Sequence, residues 1–224
     1  MKVNIITLIL CFTTLSLISL SAQMDNGVIS LPGPRYQGNT SIEEAMRERR
    51  STRKYSKEEI SLEEISQILW SAQGITHRSR GLRTAPSAGA LYPLEIYLVA
   101  GEVEGIPKGI YRYSPATHSI KIKEEGDKRK KFFTCCQPFV GKAPAIIVIT
   151  GVYERTAVKY GKRADQYIYI EAGAVGQNIY LQCEALGMGT TFVGAFIDSR
   201  LSSILSLPEG EQPLGVMPLG KKIK

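Results

Sequence analysis

Gln166–Leu186 reads QYIYIEAGAVGQNIYLQCEAL, and the fold follows from how this segment must pack. Between Glu171 and Glu184 there is no charge, while Ala172, Gly173, Ala174 and Gly176 keep one side narrow. A helix that is apolar or small all round has to be covered, so it is expected at the centre of the domain, on a sheet or against a second subunit. It stops at Gly187-Met188-Gly189, where glycine accepts the left-handed turn that ends a helix.

The segments around this helix supply the sheet. Ala145–Thr150 (AIIVIT), bounded by Pro144 and Gly151, is a short β-branched run of the kind found in interior strands. Leu94–Ala100 (LEIYLVA) reads as another strand, and Ile110–Tyr113 and Ile120–Lys123 flank Ser114-Pro115 as a hairpin. Further upstream, Ser41-Ile42-Glu43-Glu44 and Ser61-Leu62-Glu63-Glu64 each place a hydroxyl three residues before a glutamate, the capping box of a helix start. Leu62, Ile65, Ile68 and Leu69 then share one helical face, and Gly74 sits at the expected stop. Downstream, Thr190–Phe196 reads as a strand, Asp198 as the N-cap of a short helix to about Leu205, and Leu214–Leu219 as the last strand. No repeat or linker divides the chain, so the class is α+β, with helices around one sheet.

Composition agrees with a single core-stabilised domain. The chain has 224 residues, 43% hydrophobic and 22% charged, and its 4 cysteines are too few for a disulfide scaffold of this length. A net charge of +7 favours anionic ligands without implying nucleic acid. Lys2, the apolar stretch Val3–Leu20 and the small-residue exit at Ser21-Ala22 describe a secretory signal peptide over residues 1–22, hence an exported protein, periplasmic or secreted. An uncleaved membrane anchor through residues 3–20 is the alternative, because that stretch nearly spans a bilayer. Residues 23–40, punctuated by Gly27, Pro32, Gly33, Pro34 and Gly38, read as an exposed leader before a domain at 41–224. Adjacent Cys135 and Cys136 read as packed thiols, with a redox pair as the alternative.

Most catalytic constellations are absent. No Gly-x-Ser-x-Gly elbow, phosphate loop or Gly-x-Gly-x-x-Gly turn occurs, and His77 and His118 lack metal-ligand spacing to any partner, so no metal is expected. His118 falls in the hairpin turn and reads as solvated. What remains is Arg49-Arg50-Ser51-Thr52-Arg53 at the end of the first helix, where arginine forks and hydroxyls suit phosphate recognition. Taken alone, a basic helix end favoured by the helix dipole explains it as well. Pro86-Ser87-Ala88-Gly89-Ala90-Leu91-Tyr92-Pro93 is a small-residue loop entering a strand, either a plain turn or a place where backbone approaches a flat ligand.

Five pieces in this order resemble the FMN-dependent nitroreductase family: Arg-Arg-Ser-x-Arg, the Pro86–Glu95 segment, the small-residue helix, Gly-Met-Gly-Thr-Thr-Phe-Val-Gly-Ala-Phe over 187–196, and Pro-Leu-Gly-Val-Met-Pro-Leu-Gly-Lys over 213–221. The Ser-Ala-Gly-Ala-Leu-Tyr-Pro form is similar to its SagB-like dehydrogenase branch, and the match covers about Ser41–Lys222. Ala90 stands where many nitroreductases place an asparagine. The resemblance implies a mainly antiparallel sheet flanked by helices, FMN as cofactor, a homodimer with the long helix at its interface, and no membrane span in the mature chain. It assigns FMN phosphate and ribityl contacts to Arg49 and Ser51, with Arg50 in the same cluster, and a flavin-edge cation to Arg53. It places Pro86, Ser87, Ala88 and Gly89 against the ring, Gly194 and Ala195 across it, and a phosphate contact at Lys221 or Lys222. Because flavin carries hydride chemistry itself, no catalytic side chain is required of the protein. The implied reaction passes hydride from NAD(P)H or another donor to a nitro, quinone or enone-like acceptor. Two alternatives stay open: oxidation of an azoline ring in a peptide, and a flavin-binding scaffold without turnover. Substrate choice is expected in the loops Ile75–Arg83 and Val152–Arg163.

Overall fold

The computed structural model describes residues 24–223, so the expected signal segment lies outside the described residues. In chain order the elements are β1 (Met24–Asp25), β2 (Val28–Ser30), α1 (Ile42–Glu48), α2 (Leu62–Gln73), β3 (Ile75–His77), β4 (Leu82–Arg83), β5 (Leu94–Ala100), β6 (Gly109–Ser114) and β7 (Ser119–Glu125). They continue with β8 (Ala145–Val152), α3 (Tyr153–Tyr160), α4 (Ala164–Ala185), β9 (Met188–Thr190), α5 (Asp198–Leu205) and β10 (Glu211–Lys221). One eight-stranded sheet runs β1-β2-β7-β6-β5-β8-β10-β9 with every neighbouring pair antiparallel, and β3-β4 form a separate ribbon. The α+β class with an antiparallel sheet flanked by helices is therefore observed.

The central strands read as continuous apolar runs because both their faces are covered. Ile96, Leu98, Ile147 and Ile149 pack toward α2 and α4 in one core. Tyr97, Val99, Ile146 and Val148 pack on the other face with α5 and the turn carrying Phe132. The capping box of α2 forms as expected, Ser61 Oγ accepting from the Glu64 N–H and Glu64 Oε2 from the Ser61 N–H. In α4 a stripe of Ala164, Ile168, Ala172, Val175, Ile179 and Cys183 is buried at helical spacing. Its far side is open: Tyr169 is 61% exposed and Ile170 60%. The thiols of Cys135 and Cys136 are free, 3.6 Å apart.

Several local expectations change. Thr190–Phe196 is not a continuous strand; β9 ends at Thr190, and only Val193 touches β10 again, at Val216. The Phe192 ring occupies the space a Cβ would need at Gly176 and Gly215, and the chain leaves the sheet to insert it between α4 and β10. Asp198 is the first residue of α5 rather than its cap, which is Ile197 without a side-chain bond. Val152–Arg163, expected as a loop, is mostly α3. The last strand is longer than Leu214–Leu219, and its bulge between Pro213 and Gly215 accommodates a proline that cannot donate to the ladder.

The segment read as an exposed leader is exposed only in part. Val28–Ser30 pairs with Ser119–Lys121, and Ile29 is fully buried. His118, expected in solvent, is what fastens it. Its Nε2 lies 2.9 Å from the Pro32 carbonyl and 2.8 Å from Ser66 Oγ, and its Nδ1 is hydrogen-bonded with the Tyr113 hydroxyl at 2.8 Å. Ser66 donates to the same Pro32 carbonyl at 2.5 Å. Burial lowers the His118 pKa, although the bond to Pro32 acts in the opposite direction. The folded protein therefore binds fewer protons here than the unfolded chain, and stability rises with pH through the imidazole range. Thermal midpoints should fall as pH drops below the ordinary imidazole pKa of about 6.5. His118→Gln should flatten that slope at a constant cost of about 1 kcal/mol, the scale of one hydrogen bond.

Candidate active site

Arg49 closes α1 and turns the chain onto the edge of β9. Ser51 pairs with Thr190 in a parallel bridge, and the Thr52 N–H donates to the Thr190 carbonyl at 2.8 Å. The approach needs glycine beneath it: a Cβ on Gly189 would lie 2.5 Å from Thr52, and one on Gly220 would lie 2.6 Å from Tyr55. Tyr180 of α4 then gathers the edge from below. Its hydroxyl accepts from the Phe192 N–H at 2.7 Å and lies 3.3 Å from Ser51 Oγ, while the Arg49 guanidinium stands 5.0 Å over its ring. Burial alone would raise the Tyr180 pKa; hydrogen bonds with Ser51, Thr191 and the Phe192 N–H, and the Arg49 charge, outweigh it and pull it down.

The other arginines divide. Arg53 is exposed, its guanidinium 5.7 Å from the Phe139 ring centre. Among the described residues neither Arg49 nor Arg53 is in an ion pair. Arg50 instead turns back, its Nη1 donating to the Arg47 and Arg49 carbonyls at 2.8 and 2.7 Å, so it neutralises the C-terminal end of α1. Gly194 and Ala195 are exposed just past Val193, and a Cβ on Gly194 would meet open space. Lys221 and Lys222, expected at a phosphate, are committed to Glu64 and Glu184 respectively. The half-buried Arg49 and the exposed Arg53, without counter-ions among the described residues, flank an exposed serine with the unpartnered buried hydroxyl of Thr190 behind it, a donor set that fits a phosphate-bearing ligand.

The Pro86–Tyr92 loop is held at a different point of α4. Glu171, 4% exposed, accepts from the Ser87 hydroxyl at 3.0 Å and from the Ala88 N–H at 2.8 Å, and Ser87 Oγ accepts from the Tyr92 N–H at 2.8 Å. The loop needs this restraint. Ala90 and Tyr92 take φ of +54° and +47°, and a non-glycine residue there carries strain of about 1–2 kcal/mol. Gly89, at φ +63°, faces Lys159 Nζ and the Tyr160 hydroxyl, each 3.0 Å from where its Cβ would be. From Glu171 to Tyr180 is nine residues, about 13 Å at 1.5 Å per residue, so one chain does not bring the loop and the arginine edge together. Among the described residues, five cavities of about 150–710 Å³ have linings that leave out Arg49, Ser51, Arg53 and Gly194.

Sequence reasoning missed Glu171, Tyr180, Lys159 and Tyr160. A carboxylate inside a small-residue helix was a signal for Glu171, because an unneeded buried charge is expensive. For Lys159 and Tyr160 there was none, since 70 residues separate them from Gly89.

Burial raises the Glu171 pKa; the bonds from Ala88 and Ser87 and the Arg83 charge oppose this without overcoming it. The folded state therefore keeps this proton longer as pH rises, and stability is lost through the interval from the ordinary carboxyl pKa up to the folded one. Thermal melts across that interval should show a falling midpoint in the wild type and a flatter one in Glu171→Gln, which keeps an accepting oxygen. Glu171→Ala should cost about 2 kcal/mol at any pH by stranding the Ala88 N–H.

Comparison with known proteins identifies the family. Residues 46–221 match the profile of the Nitroreductase family. A protein of Methanocaldococcus jannaschii named as a nitroreductase is 42% identical over 185 residues, 82% of this chain and 92% of that one. A crystal structure of a nitroreductase-named protein from Ralstonia eutropha superposes with a TM-score of 0.79 at 31% identity, covering 88% of this chain and 90% of that one. The microcin B17-processing protein of Escherichia coli is 22% identical over 160 residues, 68% of this chain and 59% of that one. The arginine edge, the glycine-backed strand and the helix-held loop thus lie within the matched region, and the chain belongs to the nitroreductase family, with relatives in its SagB-like branch.

Proposed function

We propose that the protein is an FMN-dependent oxidoreductase that passes hydride between a reduced donor and a small organic acceptor of the nitro, quinone or enone-like kind. The observation that carries this reading is the pair Arg49 and Arg53, cations without carboxylate partners on either side of an exposed Ser51, at the edge of β9. Bound FMN would supply the hydride chemistry. Arg49 and Ser51 would hold its phosphate and ribityl chain, with Arg53 offering positive charge to the flavin edge. Gly194, where an added Cβ would meet open space, leaves room for a ligand. Lys159 and Tyr160, converging on Gly89, can hold or release a proton at the loop.

What one chain leaves open supports a homodimer. The Glu171-held loop and the Tyr180-held edge stand apart, and the outward face of α4 presents Tyr169 and Ile170 together with a bare Gly173, an apolar surface suited to a second copy. Two copies would let the loop of one chain reach the arginine edge of the other. The Lys159–Tyr160 pair also supports a second reading, oxidation of an azoline ring in a peptide. That reaction must remove a proton as well as a hydride, whereas quinone reduction needs no protein base. Similarity to a microcin-processing protein agrees with it. The N-terminal Lys2 and Val3–Leu20 support export, and among the described residues no helix is long and apolar enough to cross a membrane.

The purified protein should be yellow, and anaerobic NADH or NADPH should bleach its visible flavin band. A colourless protein that takes up no added FMN would end this reading. Arg49→Ala and Ser51→Ala should weaken FMN binding, the first by roughly 10- to 100-fold, the scale of a charge-assisted contact. Tyr160→Phe should leave FMN content unchanged. It should slow an azoline oxidation by about 100-fold or more while sparing quinone reduction.

A further inference from the structure

The largest of the five cavities, about 710 Å³, lies away from the arginine edge, between β5, β6 and β7 and the end of α5, and the proposed reaction leaves it unused. Its volume is in the range of small-molecule pockets. Arg83, Arg112, Lys121, Lys123 and Arg155 line it, against a single lining carboxylate, Glu95. Glu95 is already shared, taking Arg112 at 2.8 Å and Arg155 at 2.6 Å, so positive charge remains in excess. Tyr113, Pro115, Ile122 and Pro208 add apolar wall.

Two buried donors within this lining have no partner. Tyr97 is fully buried and lines the cavity, with the Lys123 ammonium 5.2 Å over its ring; the Glu211 carboxylate stands close to its hydroxyl, but no hydrogen bond of ordinary geometry joins them. The neighbouring Glu211 carboxylate instead accepts from Thr150. Arg83 Nε is likewise buried and unpaired, although its Nη1 reaches Gln73 at 2.8 Å. A solvated basic face would account for the lysines but not for donors kept dry and unsatisfied.

We infer that this cavity is a binding site for an organic anion with a flat apolar body, a carboxylate or a phosphate monoester, whose oxygens would engage the cationic rim and the unsatisfied donors. The site communicates with the Pro86–Tyr92 loop. Arg155 Nη1 donates to the Tyr92 carbonyl at 3.2 Å, and the Arg83 guanidinium stacks 4.3 Å over the Tyr92 ring. An anion drawing on either arginine would therefore act on Tyr92, at the end of the loop that carries Gly89. The inference is independent of the flavin reading.

Isothermal titration of the purified full chain with benzoate, phenyl phosphate and uncharged benzamide tests it. At least one anion should bind with one site per chain and at least 10-fold more tightly than benzamide, and preference between the two identifies carboxylate or phosphate as the natural group. Lys121→Gln combined with Lys123→Gln, and separately Tyr97→Phe, should each weaken that anion by roughly 5- to 10-fold, about one hydrogen bond's worth. Tyr97→Phe should leave the thermal midpoint equal or higher, because it removes an unsatisfied hydroxyl, and it should leave flavin content unchanged. The inference is overturned if neither anion binds at millimolar concentration or if benzamide binds equally well. It is also overturned if Tyr97→Phe and the lysine pair leave affinity intact, including the case of an anion that perturbs the flavin band and so binds there.

Discussion

A single helix sets the geometry of the site. α4 buries Ala172, Val175 and Ile179 against the sheet, which fixes its rotation about its own axis. With that rotation fixed, Glu171 and Tyr180 have no freedom about where they point: one meets the Pro86–Tyr92 loop and the other meets Ser51 and Arg49. Both anchors are polar groups on a buried or half-buried helix, and such groups persist only where the surrounding structure satisfies them. The packing of α4 and the placement of the candidate site residues are thus one constraint.

The glycines of β9 and β10 work in the same sense. Gly189 and Gly220 are paired neighbours across the strands, and the segment carrying Thr52 and Tyr55 rests on the gap they leave. Any side chain there would lift that segment from the sheet and with it the arginines at its start. The strained loop on the other side is the complement. Left-handed φ at Ala90 and Tyr92 is unfavourable alone, and it is held by three hydrogen bonds that converge on Ser87 and Glu171. Rigid strands carry the arginine edge, and a restrained, strained loop carries Ser87 to Tyr92.

Family membership sharpens how incomplete one chain is. Among the described residues, the exposed Tyr169 and Ile170 and the separation of loop and arginine edge along α4 are what the proposed second copy would complete. The charged cavity beside β5 and β6 differs in kind, being lined by one chain's own residues and linked to the same loop through Tyr92. Whatever occupies it acts on the loop from behind.

Periodicity and capping chemistry are local, and they were legible: the two capped helices, the central strands, the hairpin and the long helix all lie close to where the residues Ser41, Ser61, Ala145–Thr150 and Glu171–Glu184 place them. The arginine-serine cluster was legible as a phosphate-type donor set, since residue type alone supplies the chemistry. Which arginine faces the site was not. Arg50 and the two C-terminal lysines satisfy partners brought to them by the chain's path, the carbonyls of α1, Glu64 and Glu184. The same holds for His118, whose Pro32 and Tyr113 partners turn an apparent turn residue into a fastening, and for Lys159 and Tyr160 at Gly89. Sequence determined the elements and the kinds of groups available, because propensity, periodicity and residue chemistry act over a few positions. Tertiary structure alone decided which groups are left free to bind, because a charge is free only where no distant residue has already been folded against it.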